Sequence, residues 1–296
     1  MPPADGVFLL LGRRAAAGKK QNAMAVFKLE NMTWMAVERL DKAHTVLFLP
    51  ISPIEEHGPH LPLGTDIFCA QDIAAEAAKI ITRQNPRIHA VLAPSMPLGS
   101  SPATADFPGT ISLQADTLKR VILDVCGALA GHGFRYMVIS NHHMDPDHMK
   151  AILDAVETLN AGLDVRVIET CSQRFRHYAP SLLEQKAEAL GLSGLDMRQE
   201  IHADVKETGY MLYRRPELCG SDYKTLAGQK IDLREGLRKG LKTFRQMGAA
   251  SGYIGSPGHA SAEIGRIYFE EFSQSVAQMA IGLLDGTGPS EAVAGK

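Results

Sequence analysis

The sequence predicts an α/β fold built around a parallel or mostly parallel sheet, and three observations predict it. The apolar run Thr45–Leu49, the helical spacing across Ile67–Arg83 and the apolar run Ile88–Pro94 make a strand–helix–strand rhythm. Two polar stretches, 50–66 and 141–145, each follow directly on an apolar run, which is where open α/β sheets gather their ligands. Finally, 296 residues that are 45% hydrophobic and 22% charged can bury a large core. No internal repeat or linker divides them, so we expect one domain over 24–286. A disordered or loosely attached extension, 1–23, precedes it and a flexible tail, 287–296, follows.

The elements are justified in order. Asn31-Met-Thr-Trp-Met-Ala-Val-Glu-Arg-Leu40 reads as a capped helix after a short apolar stretch. Thr45–Pro50 is a buried strand. Ile73, Ala77, Ile80 and Ile81 mark a helix face that Asn85-Pro86 terminates. Ile88–Pro94 is the second strand, and Pro97–Leu113 is a long loop of the kind that is often functional. Leu118, Val121, Ile122, Val125 and Leu129 line one face of a helix over Asp116–His132, closed by Gly133. Arg135–Ser140 is a strand, Asp147–Leu159 a helix and Asp164–Thr170 a strand. Helices are expected at Pro180–Leu190, Ile231–Met247 and Ala262–Leu284, and a polar loop at Arg214–Gln229.

Bulk properties exclude several classes of function. A net charge of −2 gives no electrostatic footing for nucleic acid or a membrane surface. Near the N-terminus only Val7–Leu11 is apolar, too short for a signal-peptide core or a membrane helix. Cys69, Cys126, Cys171 and Cys219 are widely spaced with no Cys-x-x-Cys pair, so no disulfide framework is expected. Together these give the expectation of a cytoplasmic protein.

The chain is organised around Pro50–Asp66, which combines four prolines, two glycines and five ionisable side chains. Glu55 and His57 are two apart, so an extended backbone points them to one side. Asp66 can return to them across the turn at Pro62 and Gly64. Two carboxylates and an imidazole at a strand end suit a borderline metal such as zinc or manganese. A proline-stiffened loop with solvated charges is the plainer alternative.

In this stretch Glu55, His57, Gly58, Pro59, His60, Leu61, Pro62, Leu63, Thr65 and Asp66 stand in register with the signature of the creatininase family. The chain therefore resembles that family, with Ser52 and Pro53 where Gly-Ser is usual and Glu56 where Gln is. Other landmarks follow in order, from about Met32 to about Leu284. Phe107-Pro-Gly-Thr resembles a family segment, although Ala103-Thr-Ala-Asp106 replaces the polar pair that usually precedes it. Asn141-His-His-Met-Asp145 resembles the family's Asn-Gly-His, with His142 in the place of glycine. His202, Ala203, Glu207 and Thr208 match a later motif, in which Asp204 stands where glycine is common.

The resemblance implies a single-domain α/β/α layered sandwich with a mostly parallel sheet. It also implies a metal-dependent hydrolase holding two divalent ions, zinc and/or manganese, with iron also fitting. Glu55, Asp66 and His143 would hold one ion; His57, Asp66 and either Asp145 or Glu207 the other. His202 would be the general acid, with Glu207 assisting. His60, His142, Ser101 and Phe107 are candidates for the substrate pocket, and His142 either enters it or hydrogen-bonds structurally. His148 is expected to be solvated or to lie behind the ligands.

Two ions let a shared water ionise near neutral pH while one polarises the carbonyl. The implied reaction on a small molecule is hydrolysis of an amide, cyclic or formyl. The alternatives are a C–C hydrolase that opens a cyclic ketone and a metal-binding protein without turnover. Creatininase uses tryptophans in its pocket, and Trp34, the single tryptophan here, lies outside every motif. Relatives form hexamers, which implies a homo-oligomer.

Overall fold

The computed structural model describes residues 26–172 and 181–287. The expected N-terminal extension lies outside them, as does nearly all of the tail. In chain order the described strands are β1 (Val26–Lys28), β2 (Thr45–Pro50), β3 (His89–Leu92), β4 (Tyr136–Ser140) and β5 (Arg166–Glu169). The α-helices are α1 (Trp34–Glu38), α2 (Thr65–Gln84), α3 (Ala115–Gly131), α4 (Pro146–Gly162), α5 (Leu182–Gln185), α6 (Val205–Arg214), α7 (Leu233–Arg238) and α8 (Ala262–Asp285). The sheet order is β1-β3-β2-β4-β5, with every neighbouring pair parallel.

Strand β2 is buried along its whole length because both faces of the sheet are covered, the usual state of a parallel sheet. Its side chains alternate between two cores. Val46 and Phe48 pack with Ile73 and Ala77 of α2 and Phe272 and Val276 of α8. Leu47 and Leu49 pack with Ile122 of α3 and Ile152 of α4. Helices on both faces make this an α/β/α layered fold. A slip of one residue in β2 would exchange the two cores. Register is further pinned by Leu47, which pairs with Val91 on one side and Met137 on the other.

The chain leaves β2 through α2 on one face, but leaves β3 and β4 through α3 and α4 on the other. Oppositely departing connections open a crevice beyond the carboxyl end of β2. Helix α6 completes the wall of that crevice by packing closely on α8. At the crossing a side chain on Gly265 would collide with the Gly209 carbonyl, so both positions must be glycine-sized. The end of α6 is tied to α2 through Asp72, which accepts two bonds from Arg215 (2.7 and 3.0 Å), one from Arg214 (3.0 Å) and one from Tyr210 (2.9 Å). Burial pushes the Asp72 carboxyl up, but these donors outweigh it and hold it below its ordinary value.

Two expectations are corrected. The helix expected over Ile231–Met247 is only Leu233–Arg238, since Gly240 turns left-handed at φ 76° and ends it. The helix at Pro180–Leu190 shortens to Leu182–Gln185, opened by a capping box between Ser181 and Glu184. All four cysteines are free thiols. Among the described residues no helix is long and apolar enough to cross a membrane.

Candidate metal centre

Past β2 the chain is locked to the loop after β4. The Ser52 hydroxyl donates to Asn141 Oδ1 (3.1 Å) and accepts from the His142 amide (3.0 Å). Asn141 Oδ1 also accepts from the His143 amide at 2.9 Å. The 53–64 segment then folds back on itself, with the Glu55 amide bonded to the Leu63 carbonyl (3.0 Å). Gly58 supplies the left-handed turn at φ 64°. This return brings Asp66, in the first turn of α2, level with Glu55 and His57.

Three buried groups of donors result: Glu55, Asp66 and His143; His57, Asp66 and Glu207; and Glu55, His57 and His202. The first two share Asp66. His143 Nδ1 lies 3.0 Å from Glu55 Oε1 and 3.2 Å from Asp66 Oδ2. His57 Nε2 lies 3.5 Å from Asp66 Oδ1 and 3.8 Å from Glu207 Oε2. The two Asp66 oxygens therefore face different groups, as a bridging carboxylate's would. Glu55 Oε1, His57 Nε2 and Asp66 Oδ2 are buried and, with Nδ1 of His143 left unprotonated, have no hydrogen-bond partner among the described residues. Buried polar atoms are normally satisfied, so three unsatisfied donors converging on one space fit divalent cations.

Each histidine is oriented from behind. His57 Nδ1–H donates to the Glu55 carbonyl (3.1 Å). His143 Nε2–H donates to the Ser100 carbonyl (3.1 Å), beside Ser101 Oγ at 3.3 Å. His202 Nε2–H donates to the Glu56 carbonyl (2.8 Å). In each ring the other nitrogen turns into the cluster, the arrangement that fixes the tautomer of a metal-ligating histidine. Glu55 is held too, its Oε2 accepting from Thr104 Oγ1 at 2.8 Å. The Glu207 Oε2 accepts from the Ala203 amide (2.6 Å), where the backbone takes an unusual φ of 47°.

Opposite charges act on one another within the cluster. Burial pushes the Asp66 carboxyl up, yet His57, His142 and His143 hold it well below its ordinary range. His57 is disfavoured as a cation by burial but raised to about 10 by Asp66, with Glu207 and Glu55 adding to it. Burial also raises the Glu207 carboxyl, reinforced by Asp204 and Asp66. His202 is lowered by burial and by His57, but Glu56 and Glu55 outweigh both and leave it raised.

Not every expected residue joins. Asp145 caps α4 instead: its Oδ1 accepts from the Asp147 amide (2.9 Å) and its Oδ2 from the Ala103 amide (3.3 Å). Of the two carboxylates left open by the sequence, Glu207 is the one in the donor groups. A cavity of about 850 Å³ opens onto Glu55, Asp66, His142, His143, His202 and Glu207. Of the four residues expected in the pocket, only His142 lines it. His60 is turned away to Thr208 Oγ1 (2.8 Å) and packs edge-on against Tyr253. Burial and the charges of His57 and His202 push it down to about 4. Ser101 lies behind His143, and Phe107 packs in a small cluster with Phe244 and Ile254, under the Arg245 guanidinium.

His148 is fully buried and lies behind the ligands, accepting from the Ser100 amide and donating to Asn141 Oδ1. Thr104 and Tyr268 are the contributors the sequence did not reveal. Thr104 sits in the segment that departs from the resemblance, and Tyr268 is one aromatic on a long helix. Trp34 is 73% exposed, away from the cavity.

Residues 30–280 match the family model described as creatinine amidohydrolase. The chain is 29% identical over 203 residues to creatinine amidohydrolase from Pseudomonas putida, covering 64% of this chain and 73% of that protein. It is also 29% identical over 235 residues to the mycofactocin precursor peptide peptidase of Mycobacterium ulcerans, covering 76% and 80%. Among solved structures it is similar to creatinine amidohydrolase (creatininase), with a TM-score of 0.68 and 25% identity over 88% of this chain and 98% of that one. Creatininase structures of the same fold include a manganese form and a Zn–Zn form of a mutant.

Proposed function

Because the chain belongs to the creatininase family of hydrolases, we propose that it is a metal-dependent amidohydrolase in which two divalent ions share Asp66. The observation that carries this is the pair of buried donor groups with Asp66 common to both. When bound, the ions supply an ionised water and polarise an amide carbonyl. The residues of the chain do the rest. Glu55 and His143 complete one side, and His57 and Glu207 the other. With Nε2–H committed to the Glu56 carbonyl, His202 turns Nδ1 toward the cluster, 3.8 Å from Glu55 Oε1. From there it can pass a proton to the leaving nitrogen as the C–N bond breaks. Glu56, whose Oε1 stands 3.4 Å from Nε2, favours the protonated form of His202.

For the substrate we propose a small amide, with a cyclic amide as the first candidate. The cavity of about 850 Å³ lies in the upper range of ligand pockets and exceeds what a single small ring fills. That size favours a second reading, the scission of a peptide amide, in keeping with the name of the mycobacterial relative. The test is to strip the protein with a chelator, resupply zinc or manganese, and offer cyclic amides, formamides, short peptides and cyclic ketones. We expect amide turnover that disappears with the metal and returns with it. Metal-independent turnover, or turnover confined to ketones, would contradict the proposal.

A further inference from the structure

We propose that His142 is itself a ligand of the second ion, completing with His57, Asp66 and Glu207 a set that Asp145 does not join. This inference rests on the two-ion reading above. His142 Nδ1 lies 3.2 Å from Asp66 Oδ1 and 3.6 Å from Glu207 Oε1. His57 Nε2, an expected ligand of that ion, stands at 3.5 and 3.8 Å from the same two carboxylates. Two donors that each sit about 2.0–2.1 Å from a tetrahedral zinc ion lie roughly 3.4 Å apart. The spacings of His142, 3.2 and 3.6 Å, bracket that value, and those of His57, 3.5 and 3.8 Å, lie just above it.

The ring is also held as a ligand would be. His142 Nε2 is 2.8 Å from the Tyr268 hydroxyl, and Tyr268 and Phe272 pack against the ring. The Tyr268 hydroxyl can accept from Nε2–H, and in that tautomer Nδ1, which otherwise hydrogen-bonds Asp66 Oδ1 at 3.2 Å, presents its lone pair to the space between Asp66 and Glu207. This is the pattern shown by His57, His143 and His202: one nitrogen fixed from behind, the other turned inward. The backbone is set as well, the His142 amide donating to Ser52 Oγ at 3.0 Å. Asp145 meanwhile has both oxygens engaged by the amides of Asp147 and Ala103. A histidine replacing the family's usual glycine thus supplies a donor where the carboxylate three residues on is turned away.

The test compares metal binding in wild type, His142→Gly and Asp145→Asn, each stripped and titrated with zinc and with cobalt. Wild type should bind two ions. His142→Gly should keep one at wild-type affinity and bind the other at least about 100-fold more weakly. Its cobalt absorption should change, and added imidazole should restore the second ion. Asp145→Asn should keep both. A role limited to orienting Asp66 would weaken both ions alike, because both share that carboxylate. That outcome, two ions at wild-type affinity in His142→Gly, or loss of the second ion in Asp145→Asn would overturn the inference. Should His142→Gly not fold, the wild-type zinc structure decides: Nδ1 within about 2.0–2.1 Å of the second ion supports ligation, and a longer separation overturns it. Fewer than two ions in wild type would overturn the two-ion reading itself, and this inference with it.

Discussion

Replacing Asp66 with alanine is expected to empty both ion sites and abolish metal-dependent turnover. Removing a group that only supports a ligand typically weakens a metal about 10–100-fold. Asp66 is itself a donor in two groups, so the loss should exceed that range for each ion. Neither site can take another carboxylate in its place: Glu55 already faces His143, and Glu207 faces His57 and His142. Elemental analysis after desalting should find close to two ions in wild type and almost none in Asp66→Ala. One tightly held ion in the variant would show that the carboxylate serves a single site. A thermal melt of both apoproteins separates loss of metal from loss of fold.

The second large effect is on the proton rather than the metal. His202→Ala should leave both ions bound and lower kcat by roughly 10²–10⁴, the range for removal of a general acid. Geometry makes the separation clear. His202 groups with Glu55 and His57, and its Nδ1 stands 3.8 Å from Glu55 Oε1. Glu55 Oε1 has a closer partner in His143 Nδ1, at 3.0 Å, within a group that shares Asp66. If an ion were lost with His202, the residue would be a ligand and the proton donor would have to be sought elsewhere. The measurement is metal content and kcat on one preparation, with an amide that the wild type turns over.

The sequence is legible where structure is local. The alternation and burial of β2, the alanine-rich face of α2 and the Asn85-Pro86 stop are all set by neighbours in the chain. The run from Glu55 to Asp66 could be assembled for the same reason, because one rigid turn returns the chain to its start. What escaped the sequence depends on distant partners. Helix α6 contains Gly209, a poor helix former, that is there because the Gly265 backbone passes against it. The choice between Asp145 and Glu207 turns on a helix cap and on the Ala203 amide, which no spacing announces. Thr104 reaches Glu55 across 49 positions and Tyr268 reaches His142 across 126. In the Ile231–Met247 stretch, periodicity suggested a helix that the left-handed turn at Gly240 ends early.

The most direct test of the central claim is electron paramagnetic resonance on the wild-type protein loaded to saturation with manganese. Two ions bridged by Asp66 would sit about 3.5–4 Å apart, as in other two-metal hydrolytic sites, and at that separation their spins couple. The account predicts a coupled-pair signal that grows in as the second equivalent binds and is absent from Asp66→Ala. The signal of isolated manganese alone, at full loading of the wild type, would contradict it.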